Sequence, residues 1–118
     1  MRKLRERVVA LMLFVTVCSV YHPDFNGSGM SNGQRYDHWK GLTAASRKYG
    51  LGTLLEVKYN GKKIRVRVTD RIGVSHADRL DLSGRAMHDL TGKWCSKQDM
   101  SGCTLIKAEI RVIKPEVK

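Results

Sequence analysis

A chain of 118 residues is long enough for one domain and too short for two domains with separate cores. A hydrophobic share of 42% excludes an intrinsically disordered chain, and 22 Lys and Arg against 11 Asp and Glu give a net charge of +11. Such a surface selects polyanions (nucleic acid, anionic lipid or an acidic cell-wall polymer) without choosing among them.

At the N-terminus, Arg2, Lys3, Arg5 and Arg7 precede an apolar run from Val8 to Val15 that continues through Thr16, Val17 and Cys18. A basic stretch followed by a short apolar one predicts a secretory signal peptide over residues 1–19, with a cut near Val17–Cys18–Ser19 and a domain over 20–118. The run is shorter than the roughly 20 apolar residues of a membrane span, so no stable span is expected. A buried core helix is the bland alternative. Lipid attachment at Cys18 is the weaker one, because Val17 is bulky for that signal. Loss of residues 1–19 removes four basic residues and Glu6 and leaves +8. Export to the periplasm, cell envelope or exterior makes nucleic acid no partner and an acidic envelope polymer the natural one.

Residues 20–47 read as loop. Asn26-Gly27, Ser28-Gly29 and Asn32-Gly33 are turn dipeptides, and Tyr21, Phe25, Tyr36 and Trp39 give the segment anchors. It is either one wall of a binding groove or a surface meander tied down by its aromatics. From Gly52 the pattern sharpens. Leu55, Val57 and Tyr59 alternate with Glu56 and Lys58, Asn60-Gly61 turns the chain, and Ile64, Val66 and Val68 alternate with Arg65 and Arg67. Alternation on both sides of Asn-Gly predicts a hairpin pairing 54–59 with 62–68.

That second strand runs into Val68-Thr69-Asp70-Arg71. Asp70 is either a cap on the following loop, paired with Arg71 or Arg79, or a catalytic acid. Further on, Leu80 and Leu82 form a short strand, and Ser83 caps a helix near 84–91 that ends at Gly92 with Met87 and Leu90 inward. A last strand is expected from Thr104 to Ile113, before Pro115. Cys95 and Cys103, an even pair in an exported chain, predict a disulfide contributing about 2–4 kcal/mol. No cysteine or histidine pair stands at zinc-ligand spacing, so no metal is expected. His22, His38, His76 and His88 are expected at the surface, with His76 the one to test for a role in a groove. Short alternating strands with one short helix predict a mainly β chain closed into a small barrel, as a monomer.

Three segments in order, VYHPDFNGSGMSNGQRYD, GLTAASRKYGLGTLLEVKYNGKKIRVRVTDR and RLDLSGRAM, resemble the six-stranded double-psi β-barrel of the rare lipoprotein A family. The likeness covers about residues 19–113. It implies export and lytic cleavage of peptidoglycan glycan strands to 1,6-anhydro-muramyl products, with no cofactor. A barrel shared with expansins implies the alternative, a non-catalytic module that binds or loosens wall polysaccharide.

On that resemblance Asp70 takes the position of the catalytic groove aspartate. Tyr21, Gln34, Tyr36, Asp37, Ser46, Arg71 and Asp81 take substrate-binding positions, with Tyr21 or Tyr36 stacking on a sugar ring. Gln34 stands where the family commonly has Glu, and Ser46 where it commonly has His. Gln cannot exchange a proton near neutral pH, and a serine hydroxyl is no base there. A single carboxyl suffices for lytic cleavage if it first protonates the glycosidic oxygen and then, as carboxylate, takes a proton from the sugar's own C6 hydroxyl. Asp70 fits that role if burial raises its pKa.

Overall fold

The computed structural model describes residues 14–115. Six strands, β1 (Phe14–Val20), β2 (Thr43–Ala45), β3 (Leu54–Tyr59), β4 (Lys62–Asp70), β5 (Leu80–Leu82) and β6 (Ile106–Lys114), are joined by one helix, α1 (Gly84–Thr91). The strands close into a barrel in the order β1-β5-β2-β4-β3-β6. The β1–β5 and β2–β4 pairs are parallel and the other four antiparallel, the mixed pairing of a double-psi barrel.

The hairpin forms where the Asn-Gly signal puts it. Tyr59 pairs with Lys62 and Leu54 with Arg67, and Asn60 and Gly61 both take positive φ, the requirement of the tight turn between them. Leu55, Val57, Val66 and Val68 point inward and are completely buried. They meet Leu80 and Leu82 of β5, Ile110 of β6, and Met87 and Leu90 from α1, which lies against the barrel. Ser83 Oγ accepts the Ala86 N–H at 3.2 Å, and Gly92 at φ 77° closes the helix. Both helix ends thus have the partners their free backbone groups require.

Three features depart from the sequence reading. β2 lies within the stretch read as loop, and is too short to show a period of its own. His38 is fully buried rather than at the surface. Its ring nitrogens lie 2.7 Å from the Tyr36 hydroxyl and 2.7 Å from the Cys95 carbonyl oxygen, and Gly84 packs so closely on the ring that any Cβ there would collide with it. Cys95 itself is bonded to Cys103.

The third is β1. The expected leader boundary at residue 19 falls inside this strand, while residues 1–13 lie outside the described residues. Cys18 is fully buried in the core, and burial pushes its thiol up to about 12. A cut at 17–19 would strip most of the strand that β5 and β6 both pair with. Among the described residues no helix is long and apolar enough to cross a membrane.

Candidate functional site

The site forms where strand ends converge. β2 lies between β4 and β5, and Ala45 is registered against Asp70 on one side and Asp81 on the other. A register shift between Ala44 and Ala45 skips Thr69 and brings Asp70 opposite Ala45. Two carboxylates therefore flank one small residue, with their backbones about 10 Å apart, two strand spacings. A narrow crevice too tight to hold a water molecule lies there, lined by Tyr21, Tyr36, Thr43, Ala45, Asp70 and Asp81 among others.

The two carboxylates are held very differently. Asp70, 8% exposed, accepts four hydrogen bonds. Its Oδ1 takes the Ser31 hydroxyl at 2.6 Å, the Ser31 N–H at 3.0 Å and the Arg71 N–H at 2.8 Å; its Oδ2 takes the Tyr21 hydroxyl at 2.7 Å. Burial pushes this carboxyl upward, but the donors from Ser31, Tyr21 and Arg71 together outweigh it and hold its pKa below the ordinary aspartate value. The expected upward shift is thus reversed. Asp81, half-buried between Leu80 and Leu82, accepts one hydrogen bond, from the Ser19 hydroxyl at 2.7 Å. Burial is the main cause that raises its pKa, the Asp70 charge adds to it, and Ser19, His76 and Arg79 only partly offset the rise.

Tyr21 connects the site to the aromatic loop. Its ring lies 4.3 Å from that of Tyr36 and edge-on to the half-exposed Phe25 at 5.4 Å. Burial and then the bond to Asp70 push its hydroxyl well above the ordinary tyrosine range, so it remains a donor. Tyr36 lines the depression from beneath. At 2% exposure its ring offers no face to a ligand, and its hydroxyl accepts the Gly84 N–H and binds His38. Of the two tyrosines, only Tyr21 is open to stacking.

Four expected site residues have local duties elsewhere. Gln34 is exposed, its side chain bonded to Asn32 at 2.9 Å. Asp37 caps its own turn by accepting the Trp39 and Lys40 N–H groups. Ser46 is buried and its hydroxyl accepts the N–H groups of Lys48 and Tyr49. The Arg71 guanidinium turns away to the carbonyls of Ser46 and Tyr49, so only its backbone N–H serves Asp70. His76, exposed in a short 3-10 turn (Val74–His76), acts on Asp81 through its charge. Ser31 and Ser19 were the residues missed. The first sits in the Gly-rich loop without a motif of its own, and the second lies in the segment read as a leader. Among the described residues no cluster of His, Cys, Asp and Glu has a metal-holding arrangement.

Known proteins with this architecture fall into several functional groups. The Streptomyces papain inhibitor matches with a TM-score of 0.67 at 18% identity over 87% of this chain and 96% of its own. An expansin from Clavibacter michiganensis matches with a TM-score of 0.64 at 17% identity over 91% of this chain and 53% of its own. A mutant of that expansin in complex with cellohexaose gives a TM-score of 0.61 at 16% identity, with the same coverage. Identities this low establish the shared fold alone. Among curated proteins nothing matches the chain. The family model described as lytic transglycolase matches residues 17–102, most of the barrel and both carboxylates. The chain belongs to the lytic transglycolase family, in its rare lipoprotein A-like double-psi barrel form.

Proposed function

We propose that the chain is a lytic transglycosylase acting on a cell-wall glycan at the strand ends that carry Asp70 and Asp81, with Asp81 as its proton-carrying group. The observation that carries this reading is the asymmetry of the two carboxylates: among the described residues, Asp70 accepts four hydrogen bonds and Asp81 one. A general acid must hold a proton near neutral pH and deliver it, which favours a partly buried carboxyl with few donors around it. Asp81 has that environment and Asp70 has its opposite.

In this mechanism protonated Asp81 delivers its proton to the glycosidic oxygen, and the bond to the anomeric carbon breaks as the leaving sugar departs with that proton. The Asp81 carboxylate then removes the proton from the C6 hydroxyl. The C6 oxygen closes on the anomeric carbon to give the 1,6-anhydro product and restores the acid. No water is consumed. Asp70 stays ionised throughout. Its charge keeps the Asp81 pKa up and stabilises the positive charge that grows on the sugar ring. Tyr21, fixed by its bond to Asp70, packs against a ring face. Gln34 and Ser46, which stand where the family commonly has Glu and His, are not needed for proton transfer in this scheme.

The second reading is a barrel of expansin type that holds glycan without cutting it. The small size of the depression and the full engagement of Asp70 favour it. The test is incubation of purified protein with stem-peptide-free peptidoglycan strands, with mass-spectrometric detection of anhydro-muramyl ends. Products from the wild type that vanish in Asp81→Asn while strand binding persists support the enzyme. Binding without products in both proteins overturns it in favour of the module.

A further inference from the structure

The wall of the barrel opposite the site carries a charge pattern of its own. In the closed order of strands, β3 lies across the ring from β5, and β6 across from β2. With β4 between β3 and β2, the side chains that alternate outward from β3, β4 and β6 include six cations: Lys58, Lys63, Arg65, Arg67, Lys107 and Arg111. Among the described residues two acids, Glu56 and Glu109, share that surface. Glu56 is engaged by Arg111 at 3.1 Å. No acidic group among the described residues lies within ion-pair distance of Lys58, Lys63, Arg65 or Lys107.

Register makes this more than a solvated face. Lys58 and Lys63 are directly opposite one another in the hairpin, a like-charge pair that destabilises a sheet, while Glu109 lies opposite Lys58 and Glu56 opposite Arg65. They border a concavity of about 170 Å³ together with the acids Glu56 and Glu109 and with Arg111. Along β4, Lys63, Arg65 and Arg67 repeat at about 7 Å, twice the strand rise. A row of cations at regular intervals suits a chain of repeating anions better than one small ion. The groove has the opposite sign. An acidic polymer entering it would meet the ionised Asp70, and it is repelled where the neutral part of a glycan is not.

We propose that the β3–β4–β6 face is a second binding site, separate from the groove, for a linear polyanion whose repeating phosphate or carboxylate groups lie across Lys58, Lys63, Arg65 and Lys107. The barrel is then tethered to an acidic polymer by its back while the groove stays open on the far side. The inference stands whether or not the groove cuts glycan.

The experiment is a binding titration of the full chain with linear polyphosphate over a series of salt concentrations. Two triple variants of equal charge are compared: Lys58→Gln, Lys63→Gln, Arg65→Gln on the back, and Lys40→Gln, Lys93→Gln, Lys97→Gln elsewhere. The wild type binds with an affinity that falls linearly in log salt; the back triple loses at least about tenfold with a shallower slope, and the other triple stays within about twofold. Asp81→Asn binds polyphosphate as the wild type does, which separates this site from the groove. Should the back triple fail to unfold cooperatively, Lys63→Glu alone gives the same comparison at an exposed position. Equal losses in both triples, no polyphosphate binding, or binding only to vesicles of anionic phospholipid would each overturn the proposal.

Discussion

The end of β4 and the middle of β5 each present an aspartate to the same small crevice, yet they are held in opposite surroundings. Around Asp70 the Gly-rich loop folds back to bring Ser31, and the aromatic segment brings Tyr21, so the carboxylate is saturated with donors. Around Asp81 the neighbours along the strand are Leu80 and Leu82, and Ser19 supplies its one hydroxyl. Pairs of acids whose surroundings drive their pKa values apart divide the work between a charged partner and a proton carrier. Strand ends supply the positions, and the loops that fold over them decide the chemistry.

The most severe way to break this contrast is to remove β1, which supplies Ser19 and closes the barrel between β5 and β6. Deletion of residues 1–19 is expected to abolish cooperative unfolding altogether, since losing a barrel strand exceeds the typical stability of about 5–15 kcal/mol. Deletion of residues 1–13 leaves β1 whole and is expected to retain a cooperative thermal transition. Processing of an exported form is therefore expected upstream of Phe14, which mass spectrometry of secreted protein checks. A folded product beginning after Ser19 would contradict this.

Next in size is the effect on chemistry. Asp81→Asn is expected to lower anhydro-product formation by about a hundredfold to ten-thousandfold, the usual range for a lost general acid. The variant should still bind glycan strands and should be no less stable than the wild type at neutral pH. Asp70→Asn sharpens the comparison by reversing that balance. It leaves donors facing a poorer acceptor and is expected to cost about 2–3 kcal/mol in denaturant unfolding.

Stability against pH should separate the same two residues by sign. Asp70 has a depressed folded pKa, so the unfolded chain binds more protons between that value and the ordinary one. Its contribution is present above the ordinary aspartate range and is lost as pH falls through the folded pKa. Asp81 has a raised folded pKa, so the native state binds the extra proton. Its contribution is full at low pH and is lost as pH rises through the folded pKa. Asp70→Asn should therefore flatten the acid limb of the stability profile, and Asp81→Asn the decline on the less acidic side. The smallest effect expected is from Tyr21→Phe, about 1.5 kcal/mol for one hydrogen bond to a charged group, with a small upward shift of the Asp70 pKa. A change near zero there would show that Ser31 and Arg71 alone hold the carboxylate.

Much of this architecture is legible in the chain because its local signals agree with its packing. The Asn60-Gly61 turn, the alternation around it and the Ser83 and Gly92 caps appear where the residues place them. β1 is not legible for a physical reason. Its inward side chains include Thr16 and Cys18, while Val15 faces outward at 70% exposure, so apolar residues line both faces and no alternation survives. A continuous apolar run behind four basic residues also carries the pattern of a leader. At the candidate site, Asp70, Asp81 and Tyr21 line one crevice. Gln34, Asp37 and Ser46 instead satisfy turns within two or three residues of themselves, an outcome that depends on loop conformation. Ser31 contacts Asp70 across 39 residues of chain, a pairing with no local signature.

The central claim is that Asp81 holds the proton and Asp70 the charge. A carboxyl-carbon NMR titration of the folded protein, with the two aspartates assigned through Asp70→Asn and Asp81→Asn, measures it directly. Asp81 should titrate above the ordinary aspartate range and Asp70 below it, and Asp70→Asn should draw the Asp81 midpoint downward by removing the neighbouring charge. An Asp70 midpoint above that of Asp81 would contradict the account.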